Sequence, residues 1–332
     1  MNDSYMVRYI IYRLRKYLLL IAGIALISFI LGNRSIIIHY LWNDELNFSL
    51  HSVNTFMIYM AFVMPCIVFS LFKKPRNIDT LYSFGLAREK MNLIHYLSGL
   101  SMILISDIVL LLSMLIRVSG SEKYGNAAPY VFRYILLAGL TQIAVYSVSS
   151  FAYIVANNRL DGIIMEVLYY LLPVSIGELI AGIVASGNNG LYDDMDVYRS
   201  FNPLSVMTSI YYHYECLIEE RKDPFEIDYS APFIWSAIGL IAVIGLYLIV
   251  KHRRAEKTGG ITDSPFGYPY LLPAILYPYM LLSSNHSLKI TILIVLICGY
   301  FFGRRGLKLL KSQWIIVGIG LVLAILPFSV ID

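Results

Sequence analysis

The chain has 332 residues, of which 58% are hydrophobic and 14% charged, with a formal net charge of +4. Soluble domains carry about 25% charged residues, and here the apolar residues come in long runs, so a soluble globular enzyme is excluded in favour of a polytopic membrane protein. Three scattered cysteines, Cys66, Cys216 and Cys298, give neither a disulfide framework nor a metal-ligand spacing.

Residues 2–16 form a basic amphipathic segment. Val7, Ile10, Ile11 and Leu14 share a helical face apart from Arg8, Arg15 and Lys16. An interfacial helix before the first span fits this pattern, and so does a plain basic flank. The first span is expected over about 17–38. Gly32-Asn33-Arg34 follows its apolar core where a cleaved signal would show small residues, which predicts a retained span. A small outer loop, Asn43 to Asn54, leads to a second span over about 55–72.

The stretch Lys73 to Lys90, KKPRNIDTLYSFGLAREK, comes next. Ile78, Leu81, Tyr82 and Leu86 recur at helical steps, with Pro75 suited to a helix start and Gly85 to a stop. A short amphipathic helix on the cytoplasmic surface is predicted; charge alone favours a plain anchor with no partner. Further spans are expected over 91–116, 130–156, 162–186 and 231–250, with a tight inner turn at Asn157-Asn158-Arg159.

Between the fifth and sixth spans lies an acidic outer segment, 187–230. Its centre, Pro203 to Leu217, suits a short helix or a re-entrant piece. Lys251-His252-Arg253-Arg254 closes the sixth span on the inner side. Apolar runs at 268–283 and 288–303 are short for straight crossings; they read as a kinked pair of spans or as a re-entrant hairpin. A last run, 313–330, takes the C-terminus out. Eighteen of the 26 Lys and Arg fall in the segments assigned inside. That bias sets an inner N-terminus, six core crossings and about three more. The fold class is thus all-α polytopic, with a core domain over 1–250 and an inner loop plus C-terminal helices over 251–332.

No phosphate-binding GxxxxGK[ST], HExxH or GxSxG motif is present, so hydrolytic chemistry and a resident cofactor are not expected. Intramembrane carboxylates are the remaining flags, because a charge in hydrocarbon is costly. Asp107 and Glu178 are candidates for a polar path or a cation-binding group, or for packed, hydrogen-bonded acids. Glu166 is close enough to the interface to reach water. Gly177, Ala181 and Ala185 repeat at four-residue spacing and predict a close helix contact, within the chain or between subunits.

At the end of the sixth span, Tyr247, Arg253, Glu256 and Gly259 follow a Tyr…Arg-x-x-Glu-x-x-Gly pattern. This resembles the stretch found after a span in bacterial ATP-binding-cassette (ABC) exporter permeases. The first basic loop, with Asp79, Tyr82-Ser83, Leu86 and Arg88, is similar to the family's loop between its second and third spans. Phe84-Gly85 stands where the family has Leu-Pro, and Lys257-Thr258 where it has small residues. The resemblance covers roughly the first 260 residues.

It implies a coupling helix that seats in a cytoplasmic ABC ATPase, with Arg76, Asp79, Leu81, Tyr82, Leu86 and Arg88 at the contact. It implies that Arg253 and Glu256 brace the inner surface. A second permease, of the same or a different chain, would pair with this one. ATP and Mg would bind the partner ATPase and not this chain. The expected setting is the bacterial cytoplasmic membrane, with lipid but no nucleic acid as partner. The expected cargo is a peptide, antibiotic or other amphipathic molecule. Two other readings stay open: a secondary transporter or channel using Asp107 and Glu178, and a membrane sensor or structural subunit whose acidic outer segment binds a ligand.

Overall fold

The computed structural model describes residues 11, 15–39, 45–73, 87–187, 200–220, 227–252, 264 and 266–325. Among the described residues the chain is helical apart from one small hairpin. Helix α1 spans Leu18–Asn33 and is followed by strands β1 (Ile36–His39) and β2 (Glu45–Phe48). Then come α2 (His51–Phe69) with a 3-10 extension Ser70–Lys73, α3 (Arg88–Ser119), α4 (Ala128–Val155) and α5 (Arg159–Gly187). Helices α6 (Pro203–Ile218), α7 (Ser230–His252), α8 (Tyr268–Leu282), α9 (His286–Arg304) and α10 (Lys311–Ile325) complete the order.

Among the described residues, six helical segments are long and apolar enough to cross a membrane: those at His51–Lys73, Arg88–Ser119, Gly125–Val155, Arg159–Val184, Ser230–Lys251 and His286–Arg304. The protein is therefore a polytopic helical membrane protein. The membership of the six differs from the expected core set, because α9 qualifies and α1 is shorter than expected. Ser35 Oγ donates to the Gly32 carbonyl, and the Arg34 N–H to those of Ile30 and Leu31, which closes α1 at Asn33. The three consecutive β-branched residues Ile36-Ile37-Ile38 then favour extended backbone over helix. They pair antiparallel with β2, Ile36 opposite Phe48 and His39 opposite Glu45. The first span expected over 17–38 is thus a 16-residue helix and a strand.

The central part of the acidic segment is a helix, α6. Runs 268–283 and 288–303 are two helices joined at Ser283–Asn285, where Asn285 Oδ1 accepts from the Ser287 N–H and caps α9. The N-terminal interfacial helix expected over 2–16 lies outside the described residues.

The chain divides into two compact units. The first comprises Met1–Val68, Tyr82–Ser147 and Pro203–Lys251. Its helices meet through small residues, which let backbones approach without a hydrophobic driving force. A Cβ on Gly32 of α1 would lie 1.7 Å from Ser113 Oγ, 2.9 Å from Ser113 Cβ and 3.1 Å from the Leu110 carbonyl of α3. One turn earlier, the Ser28 and Ser106 hydroxyls share a hydrogen bond of 2.9 Å. A Cβ on Gly99 of α3 would run into the Tyr146 hydroxyl of α4, and one on Gly239 of α7 would sit 2.8 Å from the Ala144 Cα of α4.

The second unit comprises Phe69–Leu81, Val148–Asn202 and His252–Asp332. Here α8 packs on α5, α9 and α10, so the C-terminal helices share a core with α5 and do not stand apart from it. Leu272 fills the space at Gly299, Tyr268 that at Gly303, and Tyr300 Oη donates to the Pro269 carbonyl at 2.9 Å.

Substituting Gly32 tests the small-residue contact. Gly32→Ala should destabilise the protein by about 1–3 kcal/mol through overpacking. Gly23→Ala, whose Cβ would meet nothing within 4 Å, should change stability by less than about 0.5 kcal/mol. Thermal unfolding of the two purified variants in the same detergent compares them.

Candidate functional site

The residues that flank the two basic loops carry the most informative geometry. Lys73, at the start of the first loop, is a buried side chain. Its Nζ donates to the carbonyls of Tyr153 and Ala156, with that of Ile154 at 3.5 Å, and lies 4.9 Å from the centre of the Tyr153 ring. These are the last carbonyls of α4 and the first of the turn after it. A cation there satisfies acceptors left without helical partners and meets the negative end of the helix dipole. In sequence Lys73 is the first of the basic residues of the loop. In the fold it is a tertiary cap.

The same turn opens α5. Asn158 Oδ1 accepts from the Asp161 N–H at 2.9 Å, an N-cap, and Asn158 Nδ2 returns a bond to the Asp161 carboxylate. The other Asp161 oxygen accepts from Tyr268 Oη at 3.3 Å. Tyr268 opens α8, just after the second basic loop. A Cβ on Gly162 would fall 2.6 Å from the Tyr153 ring, so that position has no room for a side chain. Arg159 reaches the Ser70 carbonyl at 3.5 Å. Lys73 and Tyr268, one beside each basic loop, are therefore both tied to the α4–α5 turn.

Arg88 is the first residue of α3 and is exposed; its carbonyl accepts from Asn92 Nδ2 at 2.9 Å. A cation in a first helical turn opposes the helix dipole, and Glu89 beside it offsets this. Arg76, Asp79, Leu81, Tyr82, Leu86, Arg253 and Glu256 lie outside the described residues.

Of the intramembrane acids, Asp107 is buried between α3 and α4, with Oδ2 3.6 Å from where a Gly139 Cβ would stand. Glu178 is half-buried on α5, the least buried of the six membrane-length helices. Glu166 is buried and does not reach solvent as the sequence suggested. Gly177 makes a close contact, but with a side chain: a Cβ there would lie 2.5 Å from Cβ of Phe201. Ala181 is half-buried on the same helix, and the side chain of Ala185 lies outside the described residues.

In the first unit, acids of the long polar segment have structural work. Glu219 and Glu215 on and beside α6 accept from the N–H groups of Phe48 and Leu50, at 3.1 and 2.9 Å. Glu215 thereby places a carboxylate at the positive end of α2. Asp228 accepts from the Ser230 N–H at 2.9 Å and caps α7. Tyr214 of α6 packs near Tyr134, and burial pushes its phenol up to about 12, so it stays a neutral donor. Glu215, Glu219 and Asp228 are thus engaged by backbone N–H groups.

Sequence reasoning missed the roles of Lys73, Glu215 and Gln142. Gln142 is fully buried on α4, and an amide inside a 28-residue apolar helix was a readable signal. No family model, curated protein or solved structure matches this chain.

Lys73→Met should lower stability by about 1–3 kcal/mol, because buried carbonyls lose their donor. Lys308→Met, at an exposed position, should stay within about 0.5 kcal/mol of the parent. Chemical unfolding of both variants in detergent micelles measures the difference.

Proposed function

We propose that this chain is the transmembrane permease subunit of an ATP-driven ABC exporter in a bacterial cytoplasmic membrane. The observation that carries the reading is the convergence of Lys73 and Tyr268 on the α4–α5 turn. The two loops whose motifs resemble the ATPase-facing stretches of such permeases start or finish at one buried polar junction. Loops that must answer one motor need a common, stiff base, and this arrangement supplies it.

A second feature supports the same reading. The first basic loop runs into α3, which continues for 32 residues with no proline. At about 1.5 Å per residue it measures about 48 Å, well beyond the ~30 Å of hydrocarbon it would cross. A push at the Arg88 end is therefore transmitted along the whole membrane thickness. In this mechanism ATP and Mg sit on separate cytoplasmic ATPases. Closure of those subunits displaces the segment containing Arg76, Asp79, Leu81, Tyr82, Leu86 and Arg88, while Arg253 and Glu256 brace the second loop. The spans of two paired permeases then switch access for a peptide, antibiotic or other amphipathic cargo. The sparse burial of α5 and the half-buried Glu178 on it fit a partner helix or a polar path beside that span.

One observation favours a second reading. Asp107 is a buried acid at membrane depth, as a cation-coupled carrier would need. Purification from native membranes separates the two. The exporter reading expects a soluble ATPase to accompany the chain and expects transport in liposomes to require ATP. Transport by the chain alone under a proton gradient would support the carrier instead. Within the exporter reading, Tyr82→Ala and Arg88→Glu should each cut permease-stimulated ATPase activity about tenfold, equivalent to about 1.4 kcal/mol of coupling. Unchanged activity in both variants would remove these residues from the contact.

A further inference from the structure

Asp107 on α3 and Gln142 on α4 are both buried polar side chains of the first unit. Asp107 reaches Gly139, and Gln142 stands one turn along α4 from that glycine, on the same side. Asp107 is 6% exposed and Gln142 0%. Asp107 Oδ1 has no hydrogen-bond partner among the described residues, and neither do Gln142 Oε1 and Nε2. Gly139 contributes no side chain on this side of α4, and Asp107 Oδ2 lies 3.6 Å from where its Cβ would stand. Arg133, the basic residue of α4, is exposed. Tyr134, the other ionisable group near Asp107, is fully buried and directs its hydroxyl to Met57 Sδ at 4.0 Å.

Buried polar atoms without partners are costly, and native proteins satisfy them with side chains or internal water. The two side chains here do not satisfy each other. The set combines acceptors, on Asp107 and Gln142, with one donor, Gln142 Nε2. A metal cation would serve the acceptors and leave the Gln142 N–H groups facing a like charge. A guest that both donates and accepts serves all of them.

We propose that the α3–α4 interface holds a binding site for water, bridging Asp107 and Gln142 at membrane depth. One molecule donates to Asp107 Oδ1 and accepts from Gln142 Nε2, and a second donates to Gln142 Oε1. The seam between the two helices is thus wet at this level. Towards Gly99 it is sealed by Tyr146, whose hydroxyl donates to the Tyr96 carbonyl at 2.8 Å. The site does not depend on the exporter reading, because it follows from the packing of α3 on α4 alone.

A cryo-electron-microscopy map of the full chain in lipid nanodiscs, with any subunits that co-purify, tests this directly. The expected result is a density peak within hydrogen-bonding distance of Asp107 Oδ1 and Gln142 Nε2. A direct Asp107–Gln142 hydrogen bond with no peak overturns the proposal. Melting temperatures in sodium, potassium and choline chloride should coincide; a rise specific to one metal ion, lost in Asp107→Asn, would mean a cation site and overturn it as well. In a double-mutant cycle, Asp107→Leu and Gln142→Leu should each lower the melting temperature, and the double variant should lose less than the sum. Additive losses contradict a shared guest. If the leucine variants do not fold, the map and the salt series still decide.

Discussion

The Lys73 ammonium among the last carbonyls of α4 is the constraint on which the rest of the second unit depends. A helix end buried without partners would be unstable, and neither Asn157 nor Asn158 offers a positive charge. By supplying the cap from another helix, the chain fixes where α2 ends, where α4 ends and where the first basic loop begins. Asn158 then starts α5 immediately, and Asp161 uses its second oxygen to hold Tyr268. Three chain segments distant in sequence meet at this turn through the buried, hydrogen-bonded side chains of Lys73, Asp161 and Tyr268. A junction of that kind resists local opening, since moving one strand of it exposes polar groups belonging to the others.

Stiffness continues away from the junction by a different means. In the first unit, contacts at Gly32, Gly99 and Gly239 bring helices together at distances that no side chain at those positions would permit. Packing through small residues leaves little slack, so α1, α3, α4 and α7 constrain one another through their backbones. The place where this pattern relaxes is around Asp107, Gly139 and Gln142. The space beside Gly139 is taken by the Asp107 carboxylate at ordinary contact distance, and Asp107 Oδ1 and both amide atoms of Gln142 lack partners among the described residues. The contrast between close and ordinary contacts at the glycines separates the stiff parts of the bundle from the part able to host a small polar guest.

Much of the architecture was legible in the sequence because membrane helices are specified by run length alone. The expected spans at 91–116, 130–156, 162–186 and 231–250 lie within α3, α4, α5 and α7 to within a few residues. Failure came where a local preference overrode apolarity: Ile36-Ile37-Ile38 extends a hydrophobic run but prefers a strand once α1 is closed. The site was less legible. Lys73 looks like any other basic residue of the loop in sequence, and only the tertiary position of the α4 end makes it a cap. Glu215 looked like free acidic charge, but Leu50, 165 residues earlier, claims it. A Cβ on Gly177 would lie 2.5 Å from Cβ of Phe201, a residue that the sequence pattern does not point to.

The central claim is that the two loops rising from the α4–α5 junction face a nucleotide-driven motor. The most direct measurement is site-specific photo-crosslinking in living cells, with a photoreactive amino acid in place of Tyr82. The account predicts a crosslinked product joining this chain to a soluble ATPase, abolished when the same probe is moved to the exposed Trp314 of α10. Crosslinking only to lipid, or labelling of a cysteine at position 82 by a reagent that cannot enter the cell, would contradict it.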